Sequence, residues 1–355
     1  VFERNISAIP DTRISGLEVS VNDFDQDGDL DLFVGGRLSP KKYPYPSSSR
    51  ILENRSASGS IQFVDVTEEK NPALTNIGLV TTSKWVDLDG DSWEDLVVAG
   101  EWLSIRFFKN NEGKTFKEVT EEVYLPEQRG WWYDIEKGDF DNDGDLDLIV
   151  GNLGLNYKYQ ASTEKPFRVY LNDFDKNTTY DIVLSYKSDD TEYPIRGRQC
   201  SSEQMPAIKE KFKNYNSFAS ASLEEIYSDQ MLEESLKYEI TSFASVYLQN
   251  NNGKFIAKPL PYQAQFSNIN ALVVEDIDRD GYLDVVLGGN LYNAEVETPR
   301  NDASYGLWLK GDGANGFRAL APRETGLVVR GDIRNMKPIK VGGQTHLLVA
   351  KNNQD

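Results

Sequence analysis

The sequence is poor in the side chains that most catalytic and redox chemistry uses. It has one cysteine, Cys200, so no disulfide can form within the chain. Its one histidine, His346, lies in the strand-like run THLLVA, which favours a structural role. A serine or cysteine triad would need this histidine, and no nucleophile motif accompanies it. Carboxylate pairs could serve glycoside hydrolysis, but 57 acidic residues give no basis for choosing a pair. We therefore predict a protein that is not an enzyme.

Long apolar runs and excess positive charge are missing as well. No run of 18 or more apolar residues occurs, so no transmembrane segment is predicted. The net charge of −19 makes nucleic acid an unfavourable partner. The chain opens at VFERN, with neither Met nor a signal peptide, and we expect a processed or trimmed product.

A short acidic pattern, DxDxDGxxD, recurs along the chain. The copies are DFDQDGDLD from Asp23, DLDGDSWED from Asp87, DFDNDGDLD from Asp139, DIDRDGYLD from Asp276 and a degraded copy, DFDKNTTYD, from Asp173. An apolar run such as LFVGG or LIVGN follows each copy, so the chain is expected to leave each loop as a strand. Position twelve is Val34, Val98, Val150, Leu184 and Leu287 in turn, whereas an EF-hand needs glutamate there.

Alternate aspartates are hard oxygen donors that repel one another unless a divalent cation lies among them, and calcium is the natural candidate. We expect side-chain ligands at positions 1, 3, 5 and 9 and a backbone carbonyl at position 7, with glycine at position 6 permitting the turn. The predicted side-chain ligands are Asp23, Asp25, Asp27 and Asp31; Asp87, Asp89, Asp91 and Asp95; Asp139, Asp141, Asp143 and Asp147; and Asp276, Asp278, Asp280 and Asp284, and the predicted carbonyls are those of Asp29, Trp93, Asp145 and Tyr282.

Two copies depart from the pattern. Ser92 replaces the glycine of the second loop, where we expect a slightly strained turn that still binds. The degraded copy keeps Asp173, Asp175 and Asp181 but has Asn177 at position 5. The sequence thus predicts four Ca²⁺ ions and leaves a fifth open. The alternative for all five loops is solvated turn aspartates without metal.

Hairpin signals follow three of the loops. IRFFKNNEGKTFKEVT, VYLQNNNGKFIAKPL and GLWLKGDGANGFRAL each read as two strands joined by an Asn, Asp and Gly turn. Strand, acidic loop, strand and hairpin make four strands, the content of one propeller blade. We therefore predict an all-β fold, a single β-propeller of six or seven four-stranded blades over residues 1–355, in which VFERN supplies an outer strand that closes the ring.

The longest gap between loops predicts a small α-helical insertion at residues 194–239. Ser222 and Glu225 form a capping-box pattern there. The amphipathic run that follows consists of Leu223, Ile226, Leu232 and Leu236.

The loops and the segments around them resemble the FG-GAP/VCBS repeat family of calcium-loop β-propellers, which includes the integrin α-subunit head. The chain is similar above all to VCBS-repeat, ASPIC/UnbV-type surface proteins of Bacteroidetes, in VGGRLSPKKYP, WWYDIEKGDFDNDGDLDLIVGNLGLNYKY and AEVETPRNDASYG. This resemblance implies an outer-membrane lipoprotein or secreted component, working beside a nutrient-uptake or other surface complex. Millimolar calcium outside the cytosol agrees with an extracellular or cell-surface location.

Aromatic residues suggest where a partner would bind. Tyr43, Tyr45, Trp131, Trp132, Tyr157 and Tyr159 lie in or beside loops that could share one propeller face. Their alternative role is to fill blade interfaces or cover the core. We expect a non-catalytic, calcium-stabilised binding module for a protein, peptide or glycan. The alternatives are a polysaccharide lyase or hydrolase on a calcium-loop propeller and a purely structural assembly module.

Overall fold

The computed structural model describes residues 5, 7–11, 14–57, 59–124, 128–294, 298–314 and 316–353. Strands hold 43% and helices 14% of the protein, which agrees with the predicted all-β class. The strands of the described residues lie in several separate sheets, and none of these sheets closes on itself. The single propeller therefore stays a prediction. Four of the five residues of VFERN, the predicted closing strand, lie outside the described residues.

The chain divides into two compact units. The first consists of Val1–Tyr157 and Ala244–Asp355, and the second is Lys158–Phe243. The second unit takes in the segment 194–239 predicted as helical, together with residues on both sides of it.

The strands in chain order begin with two sheets of the first unit. The first sheet contains β1 (Ser15–Asn22), β2 (Asp31–Leu38), β3 (Arg50–Asn54) and β4 (Phe63–Asp65). The second contains β5 (Leu79–Val86), β6 (Asp95–Ser104), β7 (Arg106–Asn111) and β8 (Thr115–Glu118), with β9 (Arg129–Trp131) paired to β6. A third sheet opens with β10 (Asp134–Gly138) and β11 (Asp147–Gly151). Helices α1 (Thr67–Lys70) and α2 (Thr120–Val123) follow the outer strands of the first two sheets.

The second unit comes next in the chain. Its strands are β12 (Phe167–Asn172), β13 (Asp181–Ser188), β14 (Thr191–Pro194) and β15 (Leu236–Ile240), in the sheet order β14-β13-β12-β15. Its helices are α3 (Arg198–Gln204), α4 (Ala207–Lys211), α5 (Tyr215–Ala219), α6 (Leu223–Tyr227) and α7 (Asp229–Glu233).

The first unit then resumes. Strands β16 (Val246–Asn250) and β17 (Phe255–Pro259) complete the third sheet. The fourth sheet contains β18 (Ile269–Glu275), β19 (Asp284–Gly289), β20 (Leu307–Gly311) and β21 (Phe317–Leu320). Helix α8 (Pro322–Thr325) precedes a final hairpin of β22 (Ile333–Val341) and β23 (Gln344–Lys351).

The strand, loop, strand and hairpin unit predicted from the sequence is present in the first, second, third and fourth sheets. Each acidic loop joins the first two strands of its sheet, which pair antiparallel from the residues that flank the loop, as in Asn22 with Asp31 and Glu275 with Asp284. The acidic pattern therefore marks the connection between the first and second strands of a four-stranded sheet.

The degraded Asp173 loop does not follow the same series. Leu148 of β11 pairs directly with Leu248 of β16, so residues 158–243 are inserted between the second and third strands of the third sheet. The Asp173 loop joins β12 to β13, which belong to the sheet of the inserted unit. It is therefore not one more repeat in line with the others.

Apolar cores lie between successive sheets of the first unit. Phe33 and Val98 belong to a core shared by the first two sheets, and Val97 and Val150 to a core shared by the second and third. Comparable clusters join the third sheet to the fourth and the fourth to the final hairpin. These cores hold the loops at the sheet ends in place.

The inserted unit has a core of its own, in which the helices pack against β12 and β13 through residues such as Ile226, Leu232 and Val183. The predicted capping box is confirmed, because Ser222 and Glu225 bond each other's backbone at the start of α6. Leu236 was predicted to continue the amphipathic run, and this prediction is wrong because Leu236 begins β15. No helix within the described residues has the length and apolar character needed to cross a bilayer.

Candidate metal centres

The first aspartate of every acidic loop folds the loop around its own carboxylate. It accepts hydrogen bonds from the backbone N–H groups of positions 5 and 6, as Asp23 does from Asp27 at 3.1 Å and Gly28 at 3.0 Å. The equivalent bonds to Asp87, Asp139, Asp173 and Asp276 measure 2.8 to 3.2 Å. All five loops thus have one backbone geometry, including the degraded copy.

Two residues in each loop have positive φ. Position 6 does so in every copy, and the expected strain at Ser92 corresponds to a φ of 70° there. The degraded loop places Thr178 at this position with a φ of 72°, which is costly for a β-branched side chain. Position 4 also has positive φ in all five loops, as at Gln26 and Lys176. The sequence reasoning missed position 4 because only the second loop, with Gly90, has glycine there.

The aspartate at position 9 is the buried first residue of the second strand, and it is bonded to its own loop. Asp31, Asp95, Asp147, Asp181 and Asp284 are 0 to 2% exposed. One of its oxygens accepts the N–H of position 2 at 3.0 to 3.3 Å. In the four sheets of the first unit the other oxygen accepts an N–H from the third strand at 2.6 to 3.0 Å. This residue thus holds the loop to the sheet in addition to being a predicted ligand, and we call this structural role fastening.

Burial also favours the protonated form of these position-9 aspartates. It raises the pKa of Asp31 and of Asp95 to about 7 and that of Asp147 to about 6, although backbone N–H groups oppose the shift. The pKa values of Asp181 and Asp284 are raised for the same reason. A nearby cation would favour the ionised form.

Each loop brings three carboxylates together. Oxygens of Asp23, Asp25 and Asp27, of Asp87, Asp89 and Asp95, of Asp139, Asp141 and Asp147, of Asp173, Asp175 and Asp181, and of Asp276, Asp278 and Asp284 lie within 4.8 Å of one another in each group. Each group could hold a metal ion. The degraded loop assembles positions 1, 3 and 9, as the Asp87, Asp139 and Asp276 loops do, even though Asn177 replaces aspartate at position 5. In the Asp23 loop the group is positions 1, 3 and 5.

In three of the five loops the aspartate at position 3 has an oxygen that the protein leaves without a partner. Oδ1 of Asp25, Asp141 and Asp175 is buried and accepts no hydrogen bond. A buried carboxylate oxygen without a partner is costly, and a cation would satisfy it. The donor set therefore fits a hard divalent ion.

The aspartate at position 5 uses one oxygen locally. Oδ1 of Asp27, Asp91, Asp143 and Asp280, and that of Asn177, accepts the N–H of position 7 at 2.7 to 3.1 Å. This bond leaves Oδ2 of Asp27 and Asp143 for a cation, whereas Oδ2 of Asp91 and that of Asp280 each face a lysine ammonium group. The predicted carbonyl ligands of Asp29, Trp93, Asp145 and Tyr282 stay predictions.

A side chain of the third strand approaches three of the four loops in the first unit, and sequence reasoning missed it. Lys109 forms ion pairs with Asp89 and Asp91, and Lys310 forms ion pairs with Asp278 and Asp280. In the third sheet, Gln249 occupies the equivalent place and donates to Oδ2 of Asp141 at 2.7 Å. The signal available in the sequence was the residue before the closing Asn or Gly of FFKN, YLQN and WLKG.

The six aromatic residues predicted to share a face include one, Trp132, that does not reach the surface. Trp132 is fully buried in the core between the second and third sheets, and its Nε1 donates to the Leu103 carbonyl at 2.8 Å. Tyr157 belongs to the first unit, whereas Tyr159 belongs to the second and is 6% exposed. Of the others, Tyr43 donates to Glu101 at 2.7 Å. The packing role that the sequence left open is therefore the one that Trp132 performs.

The two rare residues lie away from the acidic clusters in the chain. His346 lies on β23 and is exposed, so it does not fill the core. Cys200 lies on α3, is partly buried and forms no disulfide.

Comparison with known protein families supports the interpretation of the acidic loops as repeats. A family model described as an FG-GAP-like repeat matches residues 87–150, which run from the first ligand position of the second loop to the strand after the third loop. This match supports a relationship to the FG-GAP/VCBS repeat family, whose repeats are typical of binding or structural modules and commonly bind calcium. No curated protein sequence matches the chain.

Proposed function

We propose that this protein is a non-catalytic, calcium-stabilised module that binds a protein, peptide or glycan partner at the cell surface. One observation carries the proposal: a group of three carboxylates recurs in five loops of one backbone geometry, at positions 1, 3 and 9 in four loops and at positions 1, 3 and 5 in the Asp23 loop. Solvated turn aspartates do not explain why position 9 is buried in all five loops or why a buried oxygen at position 3 accepts no hydrogen bond in three of them.

The residues that would hold calcium are the side chains at positions 1, 3, 5 and 9. Calcium accepts six to eight oxygen ligands, and when bound it would neutralise carboxylates that otherwise repel one another. Position 1 is already oriented by two backbone N–H groups, and position 9 ties the loop to the strands. We propose an ion in each of the four intact loops and a fifth in the Asp173 loop, whose Asp175 has the same unused oxygen as Asp141.

The role follows from where these ions would lie. Each would connect the first two strands of a sheet at one end, and a partner would bind elsewhere on the surface. The resemblance to surface proteins of Bacteroidetes supports an extracellular or outer-membrane-associated location, in a lipoprotein or secreted component of a nutrient-uptake or similar complex. Weak extracellular calcium sites of modular proteins suit that compartment.

The test is a thermal melt of the purified chain in calcium and in EGTA, with bound metal measured on the same sample. We expect four or five ions per chain and a calcium-dependent rise in melting temperature, because a ligand that binds only the folded state stabilises it. Asp141→Asn should reduce the metal count by one and shrink the rise. Asp189→Asn is the matched control, since Asp189 is 97% exposed and outside every loop.

Two results would contradict the proposal. A chain that holds no calcium and melts at one temperature in both buffers has no calcium loops. Turnover of a polysaccharide by the purified chain would replace the non-catalytic role with the enzymatic alternative.

A further inference from the structure

The inserted unit contains a pocket that none of the acidic loops shares. It has a volume of about 370 Å³ and lies beside β12 and β13, where the segment 158–165 and Ile195 complete its wall. Small-molecule pockets commonly have volumes of about 300–1,000 Å³. The space suits one ring compound of the size of a monosaccharide.

The charge of this pocket is opposite to that of the protein as a whole. Lys158, Lys165 and Lys187 line it, and no aspartate or glutamate is among its lining residues. The protein as a whole has 57 acidic against 38 basic residues. A local group of three ammonium groups is therefore a specific feature of this surface.

The nearest acidic partners leave these ammonium groups accessible. Lys165 lies 3.7 Å from Asp189 and Lys187 lies 3.8 Å from Asp190, and both aspartates are almost fully exposed. Such exposed pairs contribute little, because water and salt screen them. An anion in the pocket would compete with them easily.

The wall of the pocket is apolar and aromatic. Phe167 is fully buried and packs against Tyr159 with ring centroids 4.6 Å apart. Tyr186 is 41% exposed and pairs with Tyr193 on the next strand at 6.0 Å. An aromatic wall with a few charged groups at its edge is the usual composition of a site that holds one face of a ring and one ionic substituent.

We propose that this pocket binds a ring compound that carries a carboxylate, with the ring against Tyr186 and the apolar wall and the carboxylate between Lys165 and Lys187. A uronic acid residue of an acidic glycan and an aromatic acid share this chemistry. The inference does not depend on calcium, because the lining residues include none of the loop ligands.

The experiment is calorimetric titration of the full chain, at constant calcium, with galacturonate, benzoate and neutral galactose. We expect one anion per chain, an affinity that falls as salt is raised, and at least about tenfold weaker binding of galactose. The double variant Lys165→Met with Lys187→Met should lose at least about tenfold in affinity for the anion. The double variant Lys209→Met with Lys213→Met makes the same charge change at exposed lysines outside the pocket, and it should bind as the unaltered chain does.

The two anions separate the possible sources of the ligand. Binding of galacturonate supports a sugar acid, and binding of benzoate alone supports an aromatic acid. The proposal is overturned if neither anion binds, or if the pocket double variant binds as tightly as the control double variant while both keep their melting temperature. Calcium stoichiometry, measured on the same samples, reports the proposed calcium loops separately.

Discussion

The ammonium group of Lys109 lies 3.1 Å from the carboxylate of Asp91 and also pairs with Asp89. A third-strand residue thus places a positive charge on two of the carboxylates predicted to bind calcium. Lys310 does the same in the fourth sheet, where it lies 2.7 Å from Asp280. Gln249 brings no charge to the third loop.

The first prediction is that Lys109→Met strengthens calcium binding at the second loop by about tenfold or more, because affinity in such sites follows the charge count around the ion. Trp93 lies within this loop and is a local antenna for terbium luminescence. The measurement is displacement of terbium by calcium, with Trp93→Phe used to confirm that the emission comes from this site.

Lys114→Met is the control for the loss of a lysine in the same hairpin. Lys114 is 68% exposed and pairs with Glu112, not with a loop ligand. Equal calcium affinity in the two lysine variants would mean that Lys109 does not tune the site.

The second prediction distinguishes the structural role of Asp147 from the metal-binding role of Asp141 in the third loop. Asp147→Ala removes the acceptor for the N–H groups of Phe140 and Asn250 and for the Tyr247 hydroxyl, so it should cost about 3 kcal/mol or more in unfolding free energy with or without calcium. Asp141→Ala removes a carboxylate whose Oδ1 has no partner in the protein and whose Oδ2 accepts one bond, from Gln249. This substitution should lower the unfolding free energy only slightly in EGTA but strongly in calcium. Denaturant unfolding in both buffers measures the two values.

If Asp147→Ala and Asp141→Ala destabilise the chain equally in EGTA, position 9 is not a fastening that works without metal.

The sequence predicted the loops well because their information is local. Asp139, Asp141 and Asp147 lie within nine residues of one another, and the alternating pattern places them in one loop. The pattern does not show that Asp143 at position 5, also predicted as a ligand, lies outside this group. The strand after each loop was equally visible from its β-branched run. These features need no knowledge of distant pairing.

The nesting of the inserted unit could not be predicted in the same way. The pairing of Leu148 with Leu248 joins residues far apart in the chain, and the intervening Asp173 loop resembles one more repeat in series. Local patterning also leaves Trp132 ambiguous between a binding face and a core. Tertiary pairing decides both cases, and a single sequence does not record it.

The third prediction concerns the left-handed backbone of the degraded loop. Thr178 has a φ of 72°, so Thr178→Gly should raise the unfolding free energy by up to about 1 kcal/mol, because glycine adopts this conformation without a Cβ clash. The neighbouring Thr179→Gly lacks this relief and should be neutral or destabilising. Denaturant unfolding at one fixed calcium concentration compares the two, and a loss of stability in Thr178→Gly would show that its side chain does more than strain the turn.

The fourth prediction is a pH dependence that arises away from the loops. Asp134 lies at the start of β10, where burial, reinforced by Glu136 and opposed by Lys84, raises its pKa to about 7. Burial likewise raises the pKa of Glu18 in β1 to about 7, although the charge of Lys84 opposes this shift.

The sign follows from proton binding. An unfolded aspartate has a pKa of about 3.9. Between about pH 4 and 7 the folded chain therefore holds protons that the unfolded chain has released, and stability falls as pH rises. Asp134→Asn removes one such group, so the decline between pH 5 and 7 should become shallower by up to about 1 kcal/mol per pH unit. Glu18 should maintain part of the slope.

Unfolding in denaturant at pH 5, 6 and 7, with calcium held constant, measures that slope. Asp189→Asn is again the control, because Asp189 is exposed and far along the chain from this group. An equal slope in Asp134→Asn and in the unaltered chain would show that Asp134 is already ionised in the folded state at pH 5. Asparagine has one acceptor oxygen and loses a bond such as that from the Leu272 N–H, so Asp134→Asn lowers stability at every pH. The test therefore compares the slopes of stability against pH and not the stabilities themselves.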